Sequence, residues 1–324
     1  DVEAGKFIYR CEVEVDNSSY LKSSQNGKIL YSIADEGVVA FRVLPNGSLA
    51  RLNSAKIKGM RGCHLSTSKA DDYIFISGFH DGKITVLHLN EDGSVGDIAD
   101  GVFHKGLGSV AERSFRPHVS CSRLTPDERF LMVADLGIDQ IKVYRFDHKD
   151  GKITLVDTIR CELESAPKYF MFSSDGRFFY VLYEMKNVIE VYSYKEGERV
   201  PIVEKIQTIS STGSKPNQLT AACAMHFSPD EKHVFCSNAG DNTVSMYDRD
   251  DETGMLTLRF CLPISGDYPK DIAIFPDGKH LASINHEGSI SFFKIDYEKG
   301  LLVMSDRSIK VNEPNCCEIV KIGD

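Results

Sequence analysis

The sequence predicts an all-β fold, a β-propeller of seven blades with four antiparallel strands each. One phrase occurs six times along the chain: a tight turn, an apolar strand that ends in a small or polar residue, and a second strand after a short gap. The turns of the six copies fall at residues 26, 71, 127, 175, 230 and 277, roughly 45 to 56 residues apart, which is the spacing of propeller blades. Such a repeat cannot bury its apolar face alone, so neighbouring copies must stack on one another.

The fourth copy shows how one repeat is built. Residues 169–173 are a short apolar strand, and Ser174–Gly176 is a tight turn in which the glycine can take a positive φ. Residues 178–184 form the second strand, and the alternating side chains of residues 188–194 indicate the third. Residues 201–209 supply the fourth strand. Four antiparallel strands are the content of one propeller blade.

Both ends of the chain carry a strand candidate that no repeat uses. Together, residues 6–15 and 315–322 predict a seventh blade made from both termini, which closes the propeller. No linker or low-complexity stretch interrupts the repeats, so we expect a single domain over residues 1–324. Because the chain begins Asp-Val-Glu-Ala without a methionine, we expect the first residues of the natural chain to be missing.

The composition excludes two classes of partner. The net charge is −9, and the lysines and arginines are scattered between acidic residues. A nucleic-acid partner would require clustered basic residues, so none is expected. No apolar run reaches the roughly 18 residues that span a bilayer, and no hydrophobic signal segment begins the chain, so no membrane partner is expected either. The sequence leaves the oligomeric state open.

The cysteines indicate a reducing compartment. There are nine, an odd number, and no two of them form a C-x-x-C pair. A disulfide framework or a zinc site would show regular spacing, which is absent. We therefore expect reduced thiols in a cytoplasmic protein, with no metal and no cofactor.

The direction of the strands predicts where a site would form. If the first strand of a blade runs into the turn and the second strand runs back, the start of the first and the end of the second lie at one face of the propeller. Polar residues are concentrated at these positions, whereas the strands between them are apolar. A concave mouth lined by such groups is the expected ligand site. The candidates at strand starts are His64, His118, Ser120, Lys168, Tyr169 and Lys270, and those at strand ends are Asp135, Glu184, Asn238 and Asn285.

Roles follow from the residue types. Glu184 ends a strongly apolar strand and suits a general base that activates water, although a strand-end carboxylate can equally accept hydrogen bonds from loop amides. Lys168 and Lys270 each follow a proline at equivalent places, which favours a shared contact with an anion over two solvated lysines. His64 and His118 suit acid–base catalysis, and the alternative for each is a histidine that bonds neighbouring loops.

Three segments carry a family resemblance. They are Pro269–Asn285, Pro117–Asp139 and Phe227–Asn242, each with a Pro-Asp turn followed by an apolar strand. They resemble the lactonase-type seven-bladed propellers, which include bacterial 6-phosphogluconolactonases and muconate-lactonising cycloisomerases, and the resemblance covers essentially the whole chain. It implies hydrolysis of a small anionic sugar lactone, in which water attacks the lactone in the central mouth and no cofactor takes part. The cycloisomerase direction is a third, less favoured alternative.

The chain departs from that family at several of the implied site positions. Ser120 stands where histidine is usual, with His118 two residues earlier on the same face, and Lys168 and Lys270 stand where arginines are usual. Tyr169 replaces a histidine, and Ala239 replaces an arginine that would suit a phosphate. These departures favour a second hypothesis, a catalytically silent propeller that binds a metabolite or a protein through the same mouth.

Overall fold

The structure, a computed structural model, describes residues 7–108, 115–213 and 216–322. In these residues the chain forms 24 strands and no helix, and the strands make six four-stranded antiparallel sheets. In every sheet the order of the strands follows the order of the chain. Each predicted repeat is therefore a four-stranded meander, as the sequence indicated.

The strands are numbered in chain order. Sheet 1 contains β1 (Leu21–Ser23), β2 (Ile29–Ala34), β3 (Gly37–Val43) and β4 (Leu49–Lys56). Sheet 2 contains β5 (His64–Thr67), β6 (Tyr73–Gly78), β7 (Lys83–Leu89) and β8 (Val95–Phe103). Sheet 3 contains β9 (Val119–Leu124), β10 (Phe130–Asp135), β11 (Gln140–Phe146) and β12 (Ile153–Arg160). Sheet 4 contains β13 (Pro167–Phe172), β14 (Phe178–Tyr183), β15 (Val188–Lys195) and β16 (Ile202–Ser210). Sheet 5 contains β17 (Ala221–Phe227), β18 (His233–Ala239), β19 (Thr243–Arg249) and β20 (Leu256–Pro263). Sheet 6 contains β21 (Pro269–Ile274), β22 (His280–Asn285), β23 (Ser289–Asp296) and β24 (Leu301–Lys310).

The contacts group the chain into two compact units. The N-terminal unit holds sheets 1 to 3, and the C-terminal unit holds sheets 4 to 6. In the N-terminal unit, Ile33 packs with Leu65 between sheets 1 and 2, and Phe75 packs with Val133 between sheets 2 and 3. The C-terminal unit repeats this arrangement with apolar clusters between sheets 4 and 5 and between sheets 5 and 6. Each unit therefore has its core between successive sheets, as expected for a stacked repeat.

Burial falls from the second strand of a sheet to the fourth. Every residue of β6, β10 and β14 is buried. The fourth strands are more exposed, and β16 contains only exposed and half-buried residues. A strand that is covered on both faces must be apolar throughout, whereas an outer strand needs apolar residues on one face only. Polar side chains of the second strands can therefore reach the surface only at the ends of those strands.

One hydrogen-bonded turn recurs between the first and second strands. In sheet 4 the Ser173 hydroxyl donates to Asp175 Oδ1 at 2.6 Å and accepts the Phe178 N–H at 3.1 Å. The Asp175 carboxylate also accepts the Arg177 N–H at 3.0 Å. The same pattern recurs in sheets 1, 3 and 5 with the pairs Ser24–Asn26, Thr125–Asp127 and Ser228–Asp230. The repeated Ser/Thr-x-Asp/Asn signature is thus a side-chain-capped turn.

The two terminal segments are not part of any sheet in the described residues. Residues 7–20 and 311–322 contain no strand, and residue 6 lies outside the described residues. In the C-terminal unit, the Phe7 ring packs edge-on against Phe292 at 5.2 Å, and the Cys317 N–H donates to Asp271 Oδ2 at 3.0 Å. The structure therefore shows six sheets, and the predicted seventh blade from both termini stays a prediction, as does the single domain.

All nine cysteines lie in the described residues and are free thiols. Over the described ranges, no helix has the length and apolar character that crossing a bilayer requires.

Three of the turns carry a carboxylate where the other three have glycine. Asp71, Glu128 and Glu231 adopt φ angles of 53°, 56° and 54°, the left-handed region that glycine tolerates best. Each carboxylate accepts a backbone N–H from the turn of the preceding sheet. The donors are Gln25 at 2.7 Å, Lys69 at 2.6 Å and Ser174 at 3.0 Å, respectively. A hydrogen bond between neighbouring sheets thus offsets the backbone strain, and we call these three contacts the carboxylate clamps.

The Glu231 clamp can be tested by separating its bond from its strain. We expect Glu231→Ala to destabilise the protein, because it loses the bond to Ser174 and keeps the left-handed backbone. Glu231→Gly also loses the bond but relaxes the backbone, so it should be more stable than the alanine variant by about 1 kcal/mol. Urea unfolding of both variants measures the difference. An alanine variant as stable as the wild type would show that the clamp contributes nothing.

Candidate active site

Lys168 and Glu184 form an ion pair at one end of sheet 4. Lys168 is the second residue of β13, and Glu184 directly follows β14, so the antiparallel arrangement brings them together. Lys168 Nζ lies 2.6 Å from Glu184 Oε2 and 3.9 Å from the sulfur of Cys223. The lysine side chain is 28% exposed and that of the glutamate 9%. We call Lys168, Glu184, Cys223 and Lys270 the lysine–glutamate site.

The electrostatics of this site fix its charge. Burial alone lowers the pKa of the Lys168 ammonium, but the acidic groups of Cys223 and Glu184 outweigh that effect, so the pKa is raised above its ordinary value. For Cys223, burial raises the pKa of the thiol despite the nearby lysines. At neutral pH the site therefore holds a permanent cation, and its thiol stays protonated, which makes Cys223 a poor nucleophile.

Lys270 adds a second cation to the site. It follows Pro269 at the start of β21, and its ammonium donates to Asn315 Oδ1 at 2.5 Å. It also lies close enough to Cys223 to favour the thiolate form electrostatically. Two lysines that the sequence placed at equivalent positions thus act on the same thiol. A pair of ammonium groups beside one carboxylate suits the binding of an anion.

In the N-terminal unit, the Asp135 carboxylate binds backbone N–H groups at His118 and Gly137. One carboxylate oxygen accepts the His118 N–H at 2.8 Å and the Gly137 N–H at 3.1 Å, and the other lies 2.7 Å from His104 Nδ1. Asp135 has no exposed surface. A Cβ on Gly137 would lie 1.9 Å from the Arg116 carbonyl oxygen, so only glycine allows this approach. We call His104, His118 and Asp135 the histidine–aspartate site.

The tautomer of His118 follows from its hydrogen bond. His118 Nδ1 lies 2.6 Å from the carbonyl oxygen of Phe79, and the two rings stack at 4.3 Å. Because a carbonyl oxygen only accepts hydrogen bonds, Nδ1 carries the proton. In the neutral ring the lone pair is then on Nε2, as a general base requires.

His64 and His104 are buried and neutral. Burial lowers the pKa of His64 well below its ordinary value, with smaller contributions from Arg123 and Lys22. Burial also lowers the pKa of His104, and the bond to Asp135 offsets this only in part. His64 is 1% exposed, and its Nε2 lies 3.5 Å from the Cys121 sulfur. This burial is consistent with the structural alternative for His64, and its catalytic role stays a prediction.

Three of the predicted substrate-binding residues are buried in the structure. Asp135, Asn238 and Asn285 are each 0% exposed. The Asn238 amide donates to the Ser211 carbonyl at 2.9 Å, and that of Asn285 to Ser291 Oγ at 3.0 Å. These side chains are buried and hydrogen-bonded within the protein, and their substrate-binding role stays a prediction.

Two further predicted residues occupy intermediate positions. Ser120 is 9% exposed, and its hydroxyl donates to the Pro167 carbonyl at 3.0 Å. Tyr169 is half-buried, with its ring 6.0 Å from that of His226. Neither side chain is committed to a substrate by these contacts, and their binding role stays a prediction. Ala239, at the position of the usual arginine, is fully buried.

The structure adds residues that the sequence reasoning did not select. His104 lies one residue beyond β8, where no repeat signal marks it, and Cys223 lies in β17. The position of Cys223 beside Lys168 depends on the packing of sheet 5 against sheet 4. Among the described residues, no group of histidine, cysteine and carboxylate side chains could hold a metal ion.

Comparison with known proteins places this chain in a family. The family model for the lactonase seven-bladed β-propeller matches residues 3–319. The chain belongs to this family. The resemblance drawn from its motifs is thereby confirmed, and the four-stranded sheets are the blades of an all-β propeller.

Relatives in the lactonase family are similar over nearly their whole length. A 6-phosphogluconolactonase of Bacillus subtilis is 27% identical over 95% of this chain and 88% of its own. One of Formosa agariphila is 26% identical over 92% of this chain and 88% of its own. A solved structure from Bacteroides fragilis, named as a candidate 6-phosphogluconolactonase, has 30% identity and a TM-score of 0.85, with 94% of this chain and 88% of the other covered. The periplasmic gluconolactonase of Pseudomonas aeruginosa has a TM-score of 0.87 over 96% and 90% of the two chains, but its 22% identity supports the fold alone.

The buried histidines predict how stability depends on pH. His64 and His104 have lowered pKa values in the folded protein, whereas an unfolded histidine titrates near pH 6.5. Below about pH 6.5 the unfolded chain therefore binds more protons, and the folded state loses up to about 1.4 kcal/mol per pH unit for each histidine.

His64→Asn tests this dependence, because asparagine can still accept the Ser122 N–H and does not titrate. We expect its unfolding free energy, measured in urea between pH 7 and pH 5, to fall less steeply than that of the wild type. Parallel curves for the two proteins would contradict a neutral His64.

Proposed function

We propose that this protein hydrolyses a lactone. The observation that carries the proposal is the lysine–glutamate site, in which the Lys168 ammonium is paired with Glu184 at 2.6 Å beside a second lysine. Hydrolysis of a lactone requires a base for water and positive charge for the carbonyl oxygen. No covalent nucleophile is needed, which is consistent with the protonated thiol of Cys223.

The proposed substrate is an anionic sugar lactone of the 6-phosphogluconolactone type. Two named relatives, from Bacillus subtilis and Formosa agariphila, are 6-phosphogluconolactonases with 27% and 26% identity to this chain. Lys168 and Lys270 supply two cations for a phosphate or a carboxylate. A lysine binds phosphate as a point charge, without the two-pronged contact of an arginine, so we expect looser selection of the anionic group.

In the proposed mechanism, water attacks the carbonyl carbon of the lactone. A base takes one proton from the water as the water oxygen forms a bond to the carbonyl carbon. The carbonyl oxygen becomes an oxyanion next to an ammonium group. The carbonyl then reforms, the ring carbon–oxygen bond breaks, and the leaving alkoxide takes up a proton. The product is the open-chain sugar acid. Glu184 and Nε2 of His118 are the two candidate bases.

Two other features belong to the same proposal. The family model is that of a seven-bladed propeller, which supports a seventh blade closed by the two terminal segments in addition to the six observed sheets. The free thiols support a cytoplasmic location.

The alternative function is a binding module without catalysis. Ala239 favours it, because this residue is fully buried and leaves no guanidinium at the position where the family has arginine. An arginine introduced there would bury an unpaired charge, so Ala239→Arg cannot restore the family's contact without rearrangement. The two functions share the lysine–glutamate site and differ only in turnover.

The role of Glu184 can be measured directly. Glu184→Gln keeps the size of the side chain and can still accept a hydrogen bond from Lys168, but it removes the basic carboxylate. If Glu184 is the base, kcat for 6-phosphogluconolactone should fall by about 10²–10⁴-fold with little change in KM. If it only orients Lys168, KM should rise instead. Circular dichroism provides the control for folding.

Lys168→Ala is the matched variant for binding. We expect it to raise KM for 6-phosphogluconolactone more than for gluconolactone, because only the former carries a phosphate for the ammonium to hold. Equal losses for both lactones would contradict a role in anion binding.

His118→Asn tests the second candidate base. The asparagine amide can still donate to the Phe79 carbonyl, as His118 Nδ1 does, but the variant has no counterpart of Nε2. A loss of kcat of about 10²-fold or more, with Glu184→Gln little affected, would assign the base to His118. If the wild type hydrolyses neither lactone above the spontaneous rate, the binding-module alternative replaces the enzymatic one.

A further inference from the structure

Tyr268 has a backbone conformation that tyrosine rarely adopts. It lies between β20 and β21, two residues before Lys270, and has a φ of 60°. The left-handed region costs a residue with a side chain roughly 1–2 kcal/mol relative to its usual conformations, and glycine or asparagine would occupy it more easily. Tyr268 is nevertheless 37% exposed, so a large part of its surface faces solvent.

Hydrogen bonds on both sides hold this conformation in place. The Tyr268 N–H donates to Asn242 Oδ1 at 2.9 Å, and the Tyr268 carbonyl accepts the His286 N–H at 2.9 Å. Asn242 is fixed in turn, because its amide donates to Asp267 Oδ1 at 2.8 Å. The loops after β18 and β22 therefore both hold Tyr268 in this conformation. Strain that the surroundings over-determine in this way is concentrated at functional sites.

The phenol belongs to the neighbourhood of the lysine–glutamate site. His286, whose N–H bonds the Tyr268 carbonyl, has its Nδ1 3.4 Å from the carbonyl oxygen of Pro314, next to the Asn315 side chain that accepts the Lys270 ammonium. The phenol also acts electrostatically on Lys168. Its ring centroid is 5.9 Å from that of His286, in a tilted arrangement. An aromatic ring that served only the core would be buried, as Tyr180 and Tyr247 are in the same unit. Tyr268 instead combines an exposed face with two neighbouring cations.

We propose that Tyr268 is a specificity-determining residue of the lysine–glutamate site. Its ring lies against the C–H face of a sugar ring whose anionic group is held by Lys168 and Lys270. The inference rests on the proposed function for the nature of the ligand. A flat aromatic surface beside ammonium groups matches a molecule with an apolar ring face at one end and a negative charge at the other. It would disfavour acyclic anions, which offer no such face.

Steady-state kinetics of Tyr268→Gly and Tyr268→Phe test this contact. The glycine variant removes the ring and relaxes the backbone, so it should fold at least as stably as the wild type. We expect it to raise KM by about 10-fold for both gluconolactone and 6-phosphogluconolactone, with kcat within about 3-fold. The phenylalanine variant keeps the ring face and should stay within about 3-fold of the wild type in KM. An unchanged KM in the glycine variant, or an equal loss in both variants, overturns the proposal.

A binding experiment separates this inference from the proposed function. If the wild type turns over no lactone, titration calorimetry with glucose 6-phosphate, a cyclic sugar phosphate that cannot be hydrolysed as a lactone, still reports whether the site holds an anionic sugar ring. Binding to the wild type that weakens about 10-fold in Tyr268→Gly supports the role of Tyr268 even though catalysis is absent. No binding to the wild type, or equal affinity in both proteins, overturns it.

Discussion

The structure depends on burying each sheet against the next. A four-stranded meander has an apolar surface that it cannot cover itself, and the second strands β6, β10 and β14 are buried along their whole length. A polar side chain in the middle of such a strand would need a buried partner, which costs free energy unless every hydrogen bond is made. The chemistry of the protein is therefore confined to the ends of strands and to the loops that connect them.

The strand ends of the two units carry different chemical groups. In the C-terminal unit, the strand ends carry two ammonium groups and a carboxylate, and at neutral pH the charge of Lys168 is balanced by Glu184 at 2.6 Å. In the N-terminal unit, burial lowers the pKa of His64 and of His104, so the buried imidazoles are neutral. Asp135 is satisfied by two backbone amides and one of these imidazoles, and this places His118. Fixed charge is thus the feature of the strand ends in the C-terminal unit, and a fixed tautomer is the feature of those in the N-terminal unit.

The sequence predicts the repeat well because its turns and apolar strands are local signals. It also predicts that Lys168 and Glu184 lie at the same end of a sheet, since that follows from strand direction alone. It does not predict the orientation of Asn238 and Asn285, because a side chain at the end of a strand can face either a mouth or a neighbouring loop with the same spacing in sequence. His104 and Tyr268 lie in connections without a repeat signal, and their roles depend on loops that are distant in sequence.

The carboxylate clamps have a consequence for how the chain acquires its structure. Each clamp joins residues that are about one repeat apart, with separations of 46, 59 and 57 positions. No clamp requires a segment from the far end of the chain, so the loop that each one closes is short, and its entropic cost does not grow with the length of the protein. During synthesis, a sheet that carries a clamp can therefore dock on the preceding sheet once its own turn has emerged from the ribosome. Within each unit, the clamps thus also suit assembly in the order of the chain, one sheet at a time.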